Sequence, residues 1–475
     1  MFNIKLFGSN LCAKKNSQKS YDKRKTIQKV IFSGLIITSA SILSACGDDD
    51  DTFTTVVPDS NLPEANNSCF WGGPYSIDNP ASNFAYPDTG STYWHAKYNI
   101  PEGATLKLNG EFPYARYMSF NSYRQDSSPA FALRDQQIIA TNGSINPFTQ
   151  GAERNSNKRS YQIELAAGQA PIIPPNNILY DYAQDNNGEA LLLYRVYVPN
   201  KGKDATGGVG LPTPELTLTN GEVLKGQSAC DKLESDKELV KVPVIPPDTY
   251  AQLRQNNPAK ENPIWRAVYN VQFGFKCSFL NQCEGNPVRQ VARYANLDNQ
   301  YISTYVDRSI KPVIVIRGKV PKVPETVNGN EIFDESDAQV RYWSMCQNEY
   351  YSQKVASCLY DEQVAINPDG YYTMVSSLPS DRPINANDQC DIGYLPWSSD
   401  GDGFSIIPGR QNNATDGFLL MRNMLPADSF DNAIKNTSVP GDEAEVLGDY
   451  LPTIQYFTKA EFEALGCDAY KSLAQ

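Results

Sequence analysis

The feature that most constrains the fold of this 475-residue chain is an internal duplication. Five blocks of sequence recur in the same order, and one of them is RYMS at 116–119 with its copy RYWS at 341–344. From this block onward, the separation between matched residues stays between 225 and 227 residues. Matches in a constant order at a nearly constant separation predict two homologous lobes that share one fold.

The other four pairs of blocks extend the duplication over most of each lobe. They are YPDTGSTY (86–93) with NLDNQYISTY (296–305), LKLNGEFP (106–113) with VIVIRGKVP (313–321), LRDQQI (133–138) with LYDEQV (359–364), and LLLYRVYVP (191–199) with FLLMRNMLP (418–426). Ahead of the RYxS block the separation is only 208 to 210 residues, because the second copy carries an insertion at 322–338.

The composition favours strands over helices. The chain has 28 tyrosines, 31 glycines and 32 prolines, and its β-branched and aromatic runs are separated by turn-forming residues. We therefore expect a mainly β protein made of two homologous antiparallel β-sandwich lobes in tandem, with a few short helices. The expected boundaries are a first lobe at 81–220, a connecting segment at 221–292 and a second lobe at 293–475.

Two helices are expected in addition to the strands. Thr458 and Glu461 have the spacing of a capping box, and Gly466 is placed to end the C-terminal helix that this box begins. A second short helix is expected at 248–255, within the proline-rich connecting segment.

Residues 1–45 have the pattern of a secretory signal peptide. Eight basic residues precede an apolar run that is too short to span a bilayer comfortably. The run ends in LSAC, Leu43 to Cys46, which resembles the lipobox of bacterial lipoproteins. The resemblance implies that Cys46 is lipidated and becomes the mature N-terminus, followed by an acidic tether and linker at 46–80. The alternative is a simple signal peptide with an incidental cysteine.

The net charge restricts the partners of the chain. It is −12 for the whole sequence and near −19 once the basic leader is removed, so the protein is repelled by nucleic acid and by anionic membrane surfaces. No later apolar run approaches 18 residues, so attachment to a membrane is expected through the lipid alone. The resemblance to enteric lipoprotein sorting, with Gly47 after the cysteine, favours the outer membrane, at its periplasmic face or at the cell surface.

The cysteines agree with export to an oxidising compartment. Apart from Cys12 and Cys46, eight remain, and an even number is expected to pair into disulfides. The pairs Cys277–Cys283 and Cys346–Cys358 are favoured because they are local. The other disulfide candidates are Cys69, Cys230, Cys390 and Cys467, and the alternative is that the cysteines are reduced and buried.

The second copy resembles a family of bacterial β-sandwich domains of unknown function. The residues that carry the resemblance are RYWS at 341–344, LPW at 395–397 and MLP at 424–426. It covers about a quarter of the chain, and it implies a β-sandwich but no catalytic residues. The first copy departs from the pattern, with Met118 in place of Trp343.

A set of charged residues on apolar strand faces forms the candidate ligand site. Strand alternation predicts two arginines per lobe on such faces and one acid in a third matched strand. The candidate ligand-binding residues are Arg116, Arg341, Arg195, Arg422, Asp135, Asp361 and Trp343. Because a buried guanidinium needs a partner, the first interpretation is an internal Arg–Asp network that fixes strand register. The second is a rim where surplus arginine binds a carboxylate, sulfate or phosphate.

Several chemistries are disfavoured by the residue types present. His95 is the only histidine, so a histidine-dependent nucleophile has one candidate base, in the first lobe alone. Neither a metal site nor a cofactor is expected: oxidised cysteines do not ligate zinc, and DGDG at 400–403 lacks the remaining acids of a calcium loop. The abundant tyrosine and tryptophan are more typical of a β core than of a carbohydrate groove.

These observations favour a lipid-anchored envelope protein that binds a ligand or partner without catalysis. A small anionic or carbohydrate ligand in a cleft between the duplicated lobes is the expected form of binding. One alternative is a hydrolase or lyase that uses carboxylates on envelope polysaccharide or a small anionic substrate. Another is a structural envelope component, for which every matched Arg and Asp side chain should be internally bonded.

Overall fold

The structure is a computed structural model. It describes residues 68–77, 81–186, 188–240, 261–269, 286–289, 293–349, 352–398 and 415–473. The expected signal peptide, Cys46, most of the tether, the helix at 248–255, the Cys277–Cys283 pair and the DGDG turn all lie outside these residues.

The first lobe consists of two facing five-stranded sheets. The first sheet has the order β1-β2-β8-β4-β5, from Gly72–Tyr75, Ser91–Tyr98, Ala190–Pro199, Ala115–Tyr123 and Pro129–Arg134. The second sheet has the order β10-β9-β3-β6-β7, from Val223–Lys225, Thr213–Thr217, Thr105–Glu111, Ser160–Ala166 and Ile178–Tyr180. All neighbouring strands are antiparallel except β6 and β7, which are parallel.

The second lobe repeats this arrangement, except that β10 has no counterpart among the described residues. Its first sheet has the order β11-β12-β18-β14-β15, from Arg266–Ala267, Asn299–Asp307, Asp416–Met424, Tyr342–Asn348 and Val355–Tyr360. Its second sheet has the order β19-β13-β16-β17, from Thr453–Phe457, Val313–Lys319, Tyr371–Ser377 and Gly393–Pro396. The pair β16 and β17 is again parallel. The predicted fold class is thus confirmed: the protein is mainly β, with two β-sandwich lobes.

Each sandwich encloses its own apolar core because alternate side chains of the facing sheets point inward. In the first lobe Phe120 of β4 meets Tyr161 of β6, and both rings are buried. In the second lobe Trp343 of β14 stacks on Tyr372 of β16, with 5.1 Å between the ring centroids. The five tryptophans are all buried, so they fill the cores rather than line a sugar-binding groove.

Three short α-helices accompany the strands in the described part of the chain: α1 (Gln227–Lys232), α2 (Glu443–Leu447) and α3 (Lys459–Glu463). The predicted capping box begins α3, since Thr458 Oγ1 accepts from the amide of Glu461 and the Glu461 carboxylate accepts from the amide of Thr458. Among the residues that the structure describes, no helix has the length and apolar character needed to cross a membrane.

The strands extend past the boundaries expected from the sequence. Strand β1 lies within the predicted linker, and β10, α1 and β11 lie within the predicted connecting segment. These are short edge elements with little periodicity, so the sequence pattern does not distinguish them from loops.

Three disulfides are present in the described part of the chain. The predicted pair Cys346–Cys358 joins β14 to β15 at directly opposite positions. Cys69–Cys230 ties the segment before β1 to α1, and Cys390–Cys467 ties the connection between β16 and β17 to the C-terminal segment.

Candidate functional site

The two copies of the RYxS strand lie at the interface between the lobes. Tyr117 of the first copy and Tyr342 of the second are fully buried there, in one cluster with Tyr197 and Met424. The ring of Tyr197 makes edge contacts with both of the other tyrosines, at centroid distances of 5.4 and 5.2 Å. One face of each RYxS strand therefore belongs to its own sandwich core, and the other face belongs to the interface.

The arginines of the two copies pair across this interface in a reciprocal manner. Arg116 of the first lobe donates to Asp361 of the second, and both side chains are at most 1% exposed. Arg341 of the second lobe donates to Asp135 of the first at 3.0 Å, with the same degree of burial. Each arginine has an additional glutamate partner, Glu362 for Arg116 and Glu335 for Arg341. The predicted Arg–Asp network exists, but both Arg–Asp pairs join opposite lobes; of the glutamates, Glu362 also bonds across the interface, whereas Glu335 belongs to the same lobe as Arg341.

The sequence pattern predicted that these two aspartates lie in a matched strand, and this prediction is wrong. Asp135 and Asp361 each begin a single 3-10 turn immediately after β5 and β15. This position lets each carboxylate accept from a backbone amide of its own lobe, that of Met118 or Trp343, while it also binds the other lobe's arginine. Burial raises the pKa of Asp135 to about 6, against the opposing effect of Arg341, and burial also raises the pKa of Asp361.

A second reciprocal set uses the acids of the first matched block. The hydroxyl of Tyr342 donates to Asp88 at 2.8 Å, and the hydroxyl of Tyr117 donates to Asp298 at 2.6 Å. Burial is the main cause of raised pKa values for both phenols, with the neighbouring aspartates acting in the same direction. The tyrosines thus remain neutral donors at the interface.

The second arginine of each lobe bonds a carbonyl oxygen of the other lobe. Arg195 donates to the carbonyl oxygen of Tyr294 at 2.6 Å, and Arg422 donates to that of Tyr86 at 2.7 Å. Both tyrosines have a positive φ, 53° and 56°, so the two segments share one local conformation. Six of the seven candidate ligand-binding residues are therefore engaged at the lobe interface, and the seventh, Trp343, is in a core.

The insertion in the second lobe breaks the symmetry of this interface. It crosses to the first lobe, where the amide of Gly151 donates to the carbonyl oxygen of Phe333 at 2.8 Å and the amide of Lys201 donates to that of Val327 at 2.7 Å. The hydroxyl oxygen of Thr326 accepts from Nε of Arg116 at 2.8 Å. The insertion therefore covers Arg116 and satisfies the one guanidinium nitrogen that the carboxylates do not reach.

On the opposite side, the corresponding position around Arg341 is an open cleft of about 420 Å³. The residues that define its chemistry are Arg134, Gln136, Asp298, Glu335, Arg341 and Lys435. They come from both lobes. The counterpart of Arg134 in the duplication is Tyr360. On the covered side, Tyr360 packs in an apolar cluster with Val198 of β8 and with Val327 of the insertion. The two sides are thus unequal in shape and in polarity.

Two arginine nitrogens of this cleft are buried without an acceptor among the described residues. They are Nε of Arg341 and Nε of Arg134. The former is the counterpart of the Arg116 nitrogen that Thr326 satisfies. A buried donor without an acceptor is costly and unusual in a native protein. Two residues that line the cleft therefore each hold an N–H group without an acceptor, whereas the covered side supplies its own oxygen atom.

The remaining hydrogen-bonding groups of Arg134 and Lys435 are only weakly committed. Arg134 is 34% exposed and donates to Asp298 at 3.1 Å, and Lys435 is 33% exposed and donates to the fully exposed Asp428, also at 3.1 Å. The Lys435–Asp428 pair is exposed, and such a pair contributes little to stability and is easily exchanged for a ligand group, whereas Asp298 is only 11% exposed. The cleft can hence offer three cationic side chains to one incoming oxygen acid.

Arg341 of this cleft is among the candidates from the sequence, whereas Arg134, Glu335 and Lys435 are not. Glu335 lies in the insertion, and Lys435 lies after the last matched block, so neither has a counterpart that would attract notice. Arg134 has one, since LRD in the first copy stands against LYD in the second. That mismatch was the one available signal that the two sides differ.

His95 is placed in the core of the first lobe, where its Nδ1 lies 3.1 Å from the hydroxyl of Tyr75. Burial, and secondarily the charge of Lys97, lower its pKa to about 4. The cluster of Asp88 with Cys346 and Cys358 has the spacing of metal ligands, but the two sulfurs form a disulfide and are not available as thiolates.

No family model matches the chain, and the search of curated proteins found no relative. Solved structures with a similar fold include an uncharacterised protein from Burkholderia cenocepacia, with a TM-score of 0.43, 12% identity and coverage of 83% of each chain. Another is the VPA0106 protein from Vibrio parahaemolyticus, with a TM-score of 0.38, 11% identity, and coverage of 80% of this chain and 92% of that one. This chain is thus similar in fold to uncharacterised bacterial proteins.

Proposed function

We propose that this protein is a lipid-anchored envelope protein that binds a small carboxylate-bearing ligand in the cleft between its lobes, without catalysis. The observation that carries the proposal is the difference between the two equivalent arginines. Nε of Arg116 donates to Thr326, whereas Nε of Arg341, a residue that lines the open cleft, is buried without an acceptor among the described residues. A ligand oxygen that reaches this nitrogen from the cleft takes the role that the Thr326 hydroxyl has on the covered side.

The chemistry of the cleft favours a carboxylate over a neutral sugar. The nitrogens of Arg134 and Arg341 and the ammonium group of Lys435 surround it, and a planar oxygen acid matches guanidinium donors in geometry as well as charge. None of the residues that line the cleft is aromatic, and stacking on aromatic rings is the usual way that proteins hold a sugar face. Glu335, Asp298 and Asp428 add acceptors for polar groups elsewhere on the same ligand.

Anchoring through Cys46 is supported by the sequence and by the disulfides. The LSAC motif resembles a lipobox, and disulfides such as Cys69–Cys230 are typical of exported proteins. The acidic mature chain lacks a charge-based attraction to membranes, so a lipid is the attachment that fits. The outer membrane is the proposed location.

A structural role in the envelope is the second candidate, and one observation favours it. The matched arginines and aspartates are all bonded inside the protein, and the Arg116–Asp361 and Arg341–Asp135 pairs join the lobes. In that case the cleft has no specific ligand, and the reciprocal network serves only to fix the two lobes as a rigid body.

The test is to extract the full-length protein from the membranes of its own host and to identify small molecules that co-purify with it by mass spectrometry. We expect a carboxylate-bearing molecule with the wild-type protein and its loss from Arg134→Ala and Lys435→Ala. The matched control is Lys471→Ala, which removes another exposed lysine, paired only with Asp468. A ligand retained by both cleft variants would contradict the assignment of the site, and the absence of any ligand would favour the structural role.

A further inference from the structure

The connection between β6 and β7 ends in an exposed apolar tip. Ile172 is fully exposed and Ile173 is 85% exposed, although isoleucine is among the residue types most often buried in proteins. Residues 171–176 are all exposed, and prolines stand at 171, 174 and 175. A proline-bounded pair of exposed isoleucines is therefore presented outward, with restricted backbone freedom.

The base of this tip is fixed to the sandwich. The side chain of Asn177 donates to the carbonyl oxygens of Ile139 and Gln162 at 2.8 and 2.9 Å and accepts from the amide of Ile139 at 2.7 Å. Ile139 is itself 56% exposed, so the apolar surface continues at the base. The chain between Glu164 and Asp181 contains no charged residue, although the protein as a whole is strongly acidic.

The equivalent connection of the second lobe is partly covered by the C-terminal segment. There the amide of Asn385 donates to the carbonyl oxygens of Phe462 and Gly466 at 3.1 and 2.8 Å, and Cys390 is bonded to Cys467 of the C-terminal segment. This connection also carries charges, at Asp381 and Arg382. The duplication thus left one connection charged and partly covered, and the other uncharged and exposed.

We propose that the tip at Ile172 and Ile173 inserts into the surface of a lipid bilayer. The proposal rests on the lipid anchor proposed above, because residues 46–67 span at most about 75 Å, which keeps the anchored body near the membrane. A bilayer of zwitterionic lipid suits the uncharged tip, since it accepts apolar side chains and does not repel an acidic protein. The tip then gives the body one orientation on the membrane.

The experiment uses Ile173→Trp in the full-length protein, reconstituted into phosphatidylcholine vesicles that contain brominated lipid, which quenches tryptophan at contact. The matched control is Ile384→Trp, in the second lobe's connection, where the isoleucine is 79% exposed. We expect the emission added at position 173 to shift to shorter wavelength and to be mostly quenched, and that added at 384 to remain unquenched. Adding Ile172→Asp to Ile173→Trp should abolish the quenching.

Equal emission from the two positions in brominated vesicles would overturn the proposal, as would quenching that survives Ile172→Asp. A tip that is unquenched by lipid but shielded from acrylamide in intact cells would assign the surface to a protein partner and would likewise overturn it. Flotation of the vesicles reports the anchor separately. A protein that floats without quenching at 173 keeps its anchor and loses the tip proposal, whereas quenching without lipid on Cys46 refutes the anchor alone.

Discussion

Arg116 and Asp361 lie 245 residues apart in the sequence and form a buried ion pair across the interface between the two lobes. The same pair occurs a second time in the opposite direction, between Arg341 and Asp135. The relation is that of a two-fold symmetric dimer in which equal surfaces of two subunits contact each other. Here both subunits belong to one chain, so the interface forms without the entropic cost of bringing two molecules together.

The first prediction concerns these pairs. Arg116→Met and Arg341→Met should each lower the free energy of unfolding by about 3–5 kcal/mol, because each leaves a buried carboxylate without its counter-charge. Denaturant titration of the full chain measures the change. Lys319→Met, which breaks an exposed pair with Asp449, is the control and should cost at most about 1 kcal/mol. If the arginine variants lose as little unfolding free energy as the control variant, the pairs do not hold the lobes together.

The reciprocal arrangement illustrates what the sequence predicts and what it does not. The duplication correctly indicated two lobes of one fold, whereas Trp343, a candidate ligand-binding residue, lies in a core, as does its counterpart Met118. Periodicity gives the face on which a side chain lies, but it contains no information on which other lobe or element covers that face. The partner of Arg116 was therefore expected within its own lobe and lies in the other one.

The cleft was less predictable than the fold for a related reason. It exists because the insertion at 322–338 covers Arg116 and leaves the side of Arg341 open. The insertion has no strand periodicity and no copy in the first lobe, so its contacts are set by tertiary packing alone. Of the candidate ligand residues, only Arg341 lies at the cleft, and its neighbours Arg134 and Lys435 were not selected.

The second prediction uses the single histidine. Burial lowers the pKa of His95 to about 4 in the folded protein, against about 6.5 in an unfolded chain. The unfolded state therefore binds more protons between these values, so the stability is complete above about pH 6.5 and falls by about 3 kcal/mol as the pH decreases to 4. Comparison of denaturant titrations of wild type and His95→Gln isolates this contribution. A free energy difference between the two proteins that does not vary with pH would contradict the prediction.

The third prediction ranks two disulfides. Cys69–Cys230 closes a loop with a sequence separation of 161, whereas the separation for Cys346–Cys358 is 12. In the chain-entropy account the longer loop restricts the unfolded chain more, and the stabilisation is larger by about 2 kcal/mol. Replacing each pair by alanine should hence lower the unfolding free energy more for Cys69 and Cys230. The measurement is denaturant unfolding of the two double variants, and the reverse order would contradict this account.

The fourth prediction concerns the residue that makes the two sides of the interface unequal. Thr326 is 2% exposed, and its hydroxyl oxygen is the acceptor for Nε of Arg116. Thr326→Val keeps the shape of the side chain but removes the acceptor, and it should lower the unfolding free energy by about 1–3 kcal/mol because a buried donor loses its partner. Thr326→Ser retains the hydroxyl and should cost less than half as much.

The same pair of variants bears on the proposed ligand site, since Arg116 in Thr326→Val acquires the state of Arg341 in the cleft. In this variant Nε of Arg116 lacks an acceptor, but the insertion still fills the space beside it. We therefore expect the variant to bind one ligand per chain, as proposed for the wild type. The measurement is quantitation of the co-purified molecule per chain for Thr326→Val and Thr326→Ser. A second ligand bound by Thr326→Val but not by Thr326→Ser would contradict this expectation. It would show that only the Thr326 hydroxyl, and not the bulk of the insertion, keeps a ligand away from Arg116.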